Sequence, residues 1–379
     1  MPSPWGCFLP AVEFRILAIN PGATSTKIAV YANERAEVVR NLRHPDEEME
    51  QFRGRPILDQ LEFREALIEG EVKSAGYALN QLHAAAGRGG LLRPLASGTY
   101  RVNREMLDEL RAAPYGEHAS NLGAHLAHAV AQLAGIEAYI VDPVSVDEFC
   151  DLARLSGSAL LERQSLSHAL NTKAVAKRFS IEQGRRYEDQ RLIVVHLGSG
   201  TSVSAHAGGR MIDLNNGRQE GPFSTDRAGG LPAMKLVELC FSGKYTMKQI
   251  DDLMCRQGGI FSYLGTKDLV EVERRIASGD AKSRLVFDAM IYQIAKEIGG
   301  LATVLMGRVD AILFTGGMAN SEKLVRQLQT AIEWIAPVHL YPGEDELEAL
   351  AGGALRVLCG EEPAREFGTA TEKLQGQTV

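Results

Sequence analysis

The chain has 379 residues, 45% of them hydrophobic and 23% charged, with a formal net charge of −7. That length suits two ordinary domains, and an acidic balance without a basic stripe excludes a general nucleic-acid binder. No apolar run approaches the ~18 residues that cross a bilayer. Five scattered cysteines, Cys7, Cys150, Cys240, Cys255 and Cys359, form no CxxC pair, so buried free thiols in a reducing compartment are expected. The first fourteen residues carry no basic residue and make a poor secretory signal. They read as a loose extension, and the cytoplasm is the expected location.

In chain order, an apolar strand is expected over Phe14–Ile19 and a second over Lys27–Tyr31, joined across a polar loop. Ala32–Arg55 is charged and reads as weakly structured. Helical patterns run from about Leu58 to Ala86 and from about Gly123 to Ala134. Ala138–Val141 is a short buried strand that stops at Asp142-Pro143, since proline cannot continue a central ladder. Leu152–Phe179 reads as helical. Arg191–Val195 is a strand closed by His196-Leu197-Gly198-Ser199-Gly200, and Thr201–Ala205 returns. A long helix follows from about Ser283 to Met306, interrupted at Gly299-Gly300. Next come a strand at Ala311–Phe314, the turn Gly316-Gly317, a helix from Ser321, a strand at His339–Tyr341 and a closing helix at Glu346–Cys359. The tail from about Gly360 reads as polar and mobile.

Alternating strands and helices around hairpins give a mixed α/β architecture. Segments 14–31 and 191–205 share one plan, an apolar strand, a small polar loop and a β-branched strand. Their separation of about 180 residues, close to half the chain, favours two copies of one domain plan. A boundary is expected near 150, giving domains over 1–150 and 151–349, with the helix and tail from about 350 packing back on the first.

Three loops could hold phosphate. Asn20-Pro21-Gly22-Ala23-Thr24-Ser25-Thr26-Lys27 offers an amide, hydroxyls, a glycine and a lysine, though it is not a Walker loop. His196 to Thr201 contains Gly198, Ser199 and Gly200, where glycine lets the backbone approach a ligand. Gly316 and Gly317 sit between a buried strand and a helix, a placement that suits a nucleotide at the helix start. Two related domains, each giving a loop to the phosphates across a nucleotide cleft, are the arrangement of the actin-like (ribonuclease H-like) ATPases and sugar kinases.

The segments NPGATSTKIAVY, VDPVSVDEF, SHALNTKAVAKRF, HLGSGTSVSAH, NNGRQEGPFSTDRAGGLP, ILFTGGMANS and YPGEDELEALAGGALRVL closely resemble the butyrate kinase family and, more distantly, acetate kinases. The resemblance runs in order over about residues 14 to 360. It implies ATP-dependent, reversible phosphorylation of a short-chain carboxylic acid by direct in-line transfer, with ATP/ADP and Mg2+ as cofactors and a homo-oligomeric state. The C-terminal domain would bind the nucleotide. By the same resemblance Asn20 helps hold a magnesium–phosphate group, Lys27 is the matching basic residue and Ser25 a matching hydroxyl. Ala23 stands where acetate kinases carry serine, so Thr24 is the alternative hydroxyl. Arg88 would grip the substrate carboxylate, His118 and His168 would be the two active-site histidines, Asp142 the central acid and Arg227 the second arginine. A second metal-linked carboxylate falls among Glu344, Asp345 and Glu346, with Glu346 favoured.

A carboxylic acid is already ionised near pH 7, so its kinase needs no general base; it needs relief of repulsion between two anions. Two arginines, a cation and histidine donors suit that need. A branched-acid or propanoate kinase is a near variant. A regulator on the same fold that has lost turnover would not need a carboxylate grip. A sugar kinase would need an aspartate base for a neutral hydroxyl.

Overall fold

A computed structural model describes residues 12–368; Cys7 and most of the expected N-terminal extension lie outside them, as do the last residues of the tail. The chain divides into two units. One takes the chain through Asp147, then Ala169–Gly184, and resumes at Asp345; the other takes Glu148–His168 and Arg185–Glu344.

In the first unit β1 (Arg15–Pro21), β2 (Ser25–Ala32) and β3 (Arg35–Arg43) form an antiparallel meander. β4 (Ala84–Arg88) adds parallel to β1, β5 (Thr99–Arg101) pairs antiparallel with β6 (Glu137–Val141), and β6 runs parallel to β4. The second unit repeats this plan. β7 (Leu192–Leu197), β8 (Thr201–Ala207) and β9 (Arg210–Leu214) form the meander, and β10 (Ala311–Gly316) and β11 (Val338–Pro342) add in parallel beyond β7. A final short strand, β12 (Arg365–Glu366), extends the first sheet beside β5.

Both faces of β1 are buried. Leu17 and Ile19 pack on one side with Ile68, Val72 and Leu126, while Ile16 and Ala18 pack on the other with Leu170, Leu350 and Ala354. A strand buried on both faces reads as a continuous apolar run, which is why β1 and β7, buried at nearly every position, are plain in the sequence. In the second unit the helix Ala281–Val304 and the helix Glu322–Ile332 cover one face through Phe287, Met290, Ile294 and Leu328. No helix among the described residues is long and apolar enough to cross a membrane.

Several expectations are corrected. The segment expected to be weakly structured contains β3, an edge strand with exposed, charged positions that needs no apolar run. The expected helix over Leu58–Ala86 is Leu61–Ser74 only, and its alanine-rich end is the central strand β4. Alanine favours helix locally, but tertiary packing overrides it. A Cβ on Gly87 would lie 2.0 Å from the Gly123 carbonyl oxygen, so strand and helix Asn121–Ala134 touch backbone to backbone. Leu152–Phe179 is helical only at Asp151–Arg154 and from Ala169. The stretch Ala169–Gly184 belongs to the first unit, because Leu170 and Ala174 pack on that sheet's core. Gly299-Gly300 does not interrupt its helix, and the tail is tied down as far as β12 and the buried Phe367.

Candidate functional site

Each unit ends three parallel strands side by side, and the carboxyl edge of such a sheet is where α/β proteins place ligands. In the first unit Ile19 pairs with Gly87 and Arg88 with Val141, so Asn20, Arg88 and Asp142 arrive at neighbouring strand ends. Glu346, the first residue of helix Glu346–Leu358, is 5% exposed. It holds Arg88 with both carboxylate oxygens, each 3.1 Å from a guanidinium nitrogen. Asn20 Nδ2 donates to the same carboxylate, and Arg88 Nη1 lies 3.4 Å from Asn20 Oδ1. Of the three acidic candidates it is Glu346 that joins Asn20 and Arg88. Glu344 lies in the second unit, its carboxylate 3.2 Å from His196 Nε2, and Asp345 precedes the helix.

Asp142 is 3% exposed and adopts φ 36°, a left-handed geometry that an aspartate tolerates at a cost. Its Oδ1 accepts from Ser97 Oγ at 2.6 Å and from Gly98 N at 2.7 Å. Lys177 stands behind it, and burial pushes the Lys177 ammonium pKa down, helped by Arg356 and opposed by Asp142 and Glu362. His118 is exposed just before helix Asn121–Ala134. Its Nδ1 accepts from Ser120 N at 3.2 Å, so the neutral ring carries its proton on Nε2.

In the first loop Gly22, Ala23, Thr24 and Ser25 bridge β1 and β2, with Ala23 and Thr24 exposed and Thr26 fully buried. Lys27 is exposed on β2. Arg64, a residue the sequence reading did not single out, lies beneath this loop. It is completely buried and bonds Gly22 O and Thr26 Oγ1, both at 2.9 Å.

In the second unit His196 lies at the end of β7 and Gly198 just past it, beside Gly316 at the end of β10. The His196 and His168 rings stack with centroids 3.8 Å apart, and His168 Nδ1 lies 3.1 Å from Ser202 Oγ. The turn Gly198-Ser199-Gly200 lies against Arg227: a Cβ on Gly200 would sit 2.7 Å from Arg227 Cζ. The second glycine of this loop therefore makes room for the arginine. Burial lowers the Arg227 pKa. Its loop is fastened by Arg163, which bonds Asp213 and Glu220 at 2.9 Å each and Leu214 O at 2.7 Å. Arg163 also escaped the sequence reading, because its partners are distant in the chain. A cleft of about 1170 Å³ is lined by Gly198, Ser199, Gly317, Ser321, Lys323 and Glu344 among others, a size that admits a nucleotide.

The candidates thus assemble within units. Asn20, Arg88 and Glu346 are directly bonded beside Asp142; His168 and His196 are stacked; Gly200 and Arg227 are in contact. Gly22, Thr24, Ser25 and Lys27 share one loop and strand, and Gly317 lines the large cleft. His118 lies in the first unit and bonds Ser120 at its own helix start.

Comparison with known proteins gives a consistent set. Residues 160–338 match the model of the acetokinase family. The chain is 49% identical over 355 residues to butyrate kinase 1 of Clostridium acetobutylicum, covering 93% of this chain and 99% of that one. Acetate kinase of Porphyromonas gingivalis superposes with a TM-score of 0.71 at 18% identity, over 91% of this chain and 100% of that one. A propionate kinase of Francisella tularensis subsp. tularensis gives 0.65 at 16%, over 89% and 98%. At those identities the two structures speak for the fold, the actin-like ATPase fold that the repeated sheets embody.

Proposed function

The chain belongs to the acetate and butyrate kinase family of carboxyl-group phosphotransferases, and on that premise we propose that it interconverts ATP and butanoate with ADP and butanoyl phosphate. The observation that carries the reading to individual residues is the bonded set Asn20–Arg88–Glu346 at the strand ends, with Asp142 alongside. An acceptor that is already an anion needs a cationic grip, and Arg88 supplies a guanidinium with donors in a fork that matches a carboxylate. Arg227, half-buried and lying over Gly200, supplies positive charge where the transferring phosphoryl group would spread its own.

The donor set suits Mg2+: one carboxylate and one amide oxygen are the hard ligands a magnesium ion uses when substrate phosphates and waters complete its shell. Glu346 and Asn20 would hold it, and when bound it would neutralise phosphate charge. Arg88 shares the Glu346 oxygens, so acid and metal sites are linked through one carboxylate. Asp142, held by Ser97 and Gly98, orients neighbours and accepts no phosphate. In the second unit, His196, Gly198, Ser199, Gly316 and Gly317 line the nucleotide's phosphates, and His168 donates from its stack on His196. Thr24 and Ser25 are the hydroxyls offered by the first loop, with Lys27 behind them on β2 and His118 donating from Nε2. The protein works as a cytoplasmic homo-oligomer.

A kinase for branched acids or propanoate remains the nearest rival, since one methylene is worth only ~1–3 kcal/mol in a pocket. The test is capture of acyl phosphate as hydroxamate from straight and branched C2 to C6 acids with ATP. Preference for butanoate supports the reading; a stronger response to a branched or C3 acid would replace butanoate with that acid.

A further inference from the structure

Helix Leu61–Ser74 turns one stripe inward: Arg64, Ile68 and Val72, at spacings of four. Two members are ordinary core residues. The third is an arginine with 0% exposure. Charge is rarely buried to that degree unless it is paired, and the hydrogen-bond partners of this guanidinium are neutral. Nη1 donates to Gly22 O at 2.9 Å, Ser25 O at 3.4 Å and Thr26 Oγ1 at 2.9 Å. Nη2 lies 3.4 Å from Ala23 O, and Gln60 Oε1 takes Nε at 3.1 Å and Nη2 at 2.7 Å. Burial lowers the pKa of the group to about 10, which leaves it cationic at neutral pH. It therefore gathers three carbonyls around the turn between β1 and β2, those of Gly22, Ala23 and Ser25, onto one buried cation. Two further bonds complete the turn: Gly22 N to Ser25 O at 2.7 Å and His44 N to Thr24 O at 3.0 Å.

We infer that Arg64 is a positioning residue for nucleotide phosphate, holding the carbonyls of the Gly22–Ser25 turn inward so that the exposed Ala23–Thr24 peptide faces the ligand with its donors. Carbonyl oxygens are the groups a phosphate must not meet, and a loop with free carbonyls can turn them outward. A buried cation beneath the turn prevents that and adds a favourable field for an anion above it, weakly screened because it is out of water. A lysine could bond one or two of these acceptors; the planar fork reaches several at once. The inference rests on the acid-kinase reading for its assay, not for its geometry.

The experiment is steady-state kinetics and direct MgATP titration of Arg64→Met and Arg64→Lys in the full chain. Acyl-hydroxamate formation by the wild type in the same assay establishes the activity separately. The expected result is a rise of tenfold or more in the MgATP KM and Kd for Arg64→Met, with the KM for the acid within about twofold. Arg64→Lys should recover part of the loss, and the amides of residues 22–25 should exchange faster in both. Since a buried arginine can be needed for folding, Thr26→Val is the second variant. It removes one acceptor and keeps the charge, and should raise the MgATP KM by a smaller factor in the same direction. A folded variant with unchanged MgATP KM and Kd, or one that weakens acid and nucleotide equally, would overturn the inference. A wild type inactive toward acids but tight for MgATP would remove the assigned reaction and leave the Kd arm to decide Arg64.

Discussion

Gly200→Ala isolates the placement of Arg227 with one added carbon. The new Cβ would lie 2.7 Å from Arg227 Cζ, 2.8 Å from Nη1 and 3.0 Å from Nε. Ordinary carbon contacts are ~3.5–4.0 Å, so the guanidinium must retreat by about 1 Å. Gly200 has no left-handed φ, so alanine costs no backbone strain, and the displaced group is the end of a flexible side chain. Stability should therefore change by less than about 1 kcal/mol. Catalysis should not be so tolerant: a displacement of about 1 Å can cost ~10²-fold in rate, or about 2.7 kcal/mol of barrier. The assay is kcat for acyl-hydroxamate formation, with urea denaturation as the control. Because the damage would act through Arg227, Gly200→Ala should have little further effect in an Arg227→Ala background. Retention of more than about a third of wild-type kcat, or effects of the two changes that multiply, would refute the reasoning.

Other outcomes follow from the same geometry. Arg227→Ala should lower kcat by several powers of ten while MgATP binding stays within a few-fold; direct titration with the nucleotide checks the second half. Arg88→Ala should raise the acid KM at least tenfold and lose about 2 kcal/mol of stability, because Glu346 is left buried without its cation; an unchanged acid KM with an altered KM for ATP would move Arg88 to the nucleotide side. His44 and His125, both 4% exposed, have pKa values lowered to about 4, in each case chiefly by burial, with Arg64 adding to the effect at His44 and Arg111 at His125. Their unfolded value is near 6.5, so the unfolded chain takes up protons first: their stabilisation is full above pH 6.5 and is lost as pH falls towards 4. Urea midpoints should drop steadily from pH 7 to 4.5, more shallowly in His44→Gln, and a flat profile would contradict the burial argument.

The parts of the fold that were legible are those where local pattern and global role agree. β1 and β7 are apolar on both faces, and their following loops are polar, so the duplication could be read from two hairpins. β4 could not be read. Its alanines say helix, and the demand for small residues comes from Gly123 on a helix 30-odd positions later. For the same reason Arg88 was recognised by resemblance while its strand was not. Glu346 could be favoured over its neighbours only weakly by motif; what separates the three is that the helix start aims Glu346 at Asn20 and Arg88. Arg64 left one trace, a charged residue on an otherwise apolar stripe at 64, 68 and 72, a signal that is meaningful once helices are placed. Arg163 left none, since Asp213 and Glu220 are 50 and 57 residues away.

Transfer of the γ-phosphoryl group of ATP to a carboxylate can be watched by phosphorus NMR on the protein incubated with MgATP and butanoate. An acyl-phosphate resonance should grow in step with ADP, depend on butanoate and be abolished in Arg227→Ala. ADP and free phosphate accumulating at the same rate with or without any C2 to C6 acid, with no acyl-phosphate signal, would contradict such transfer.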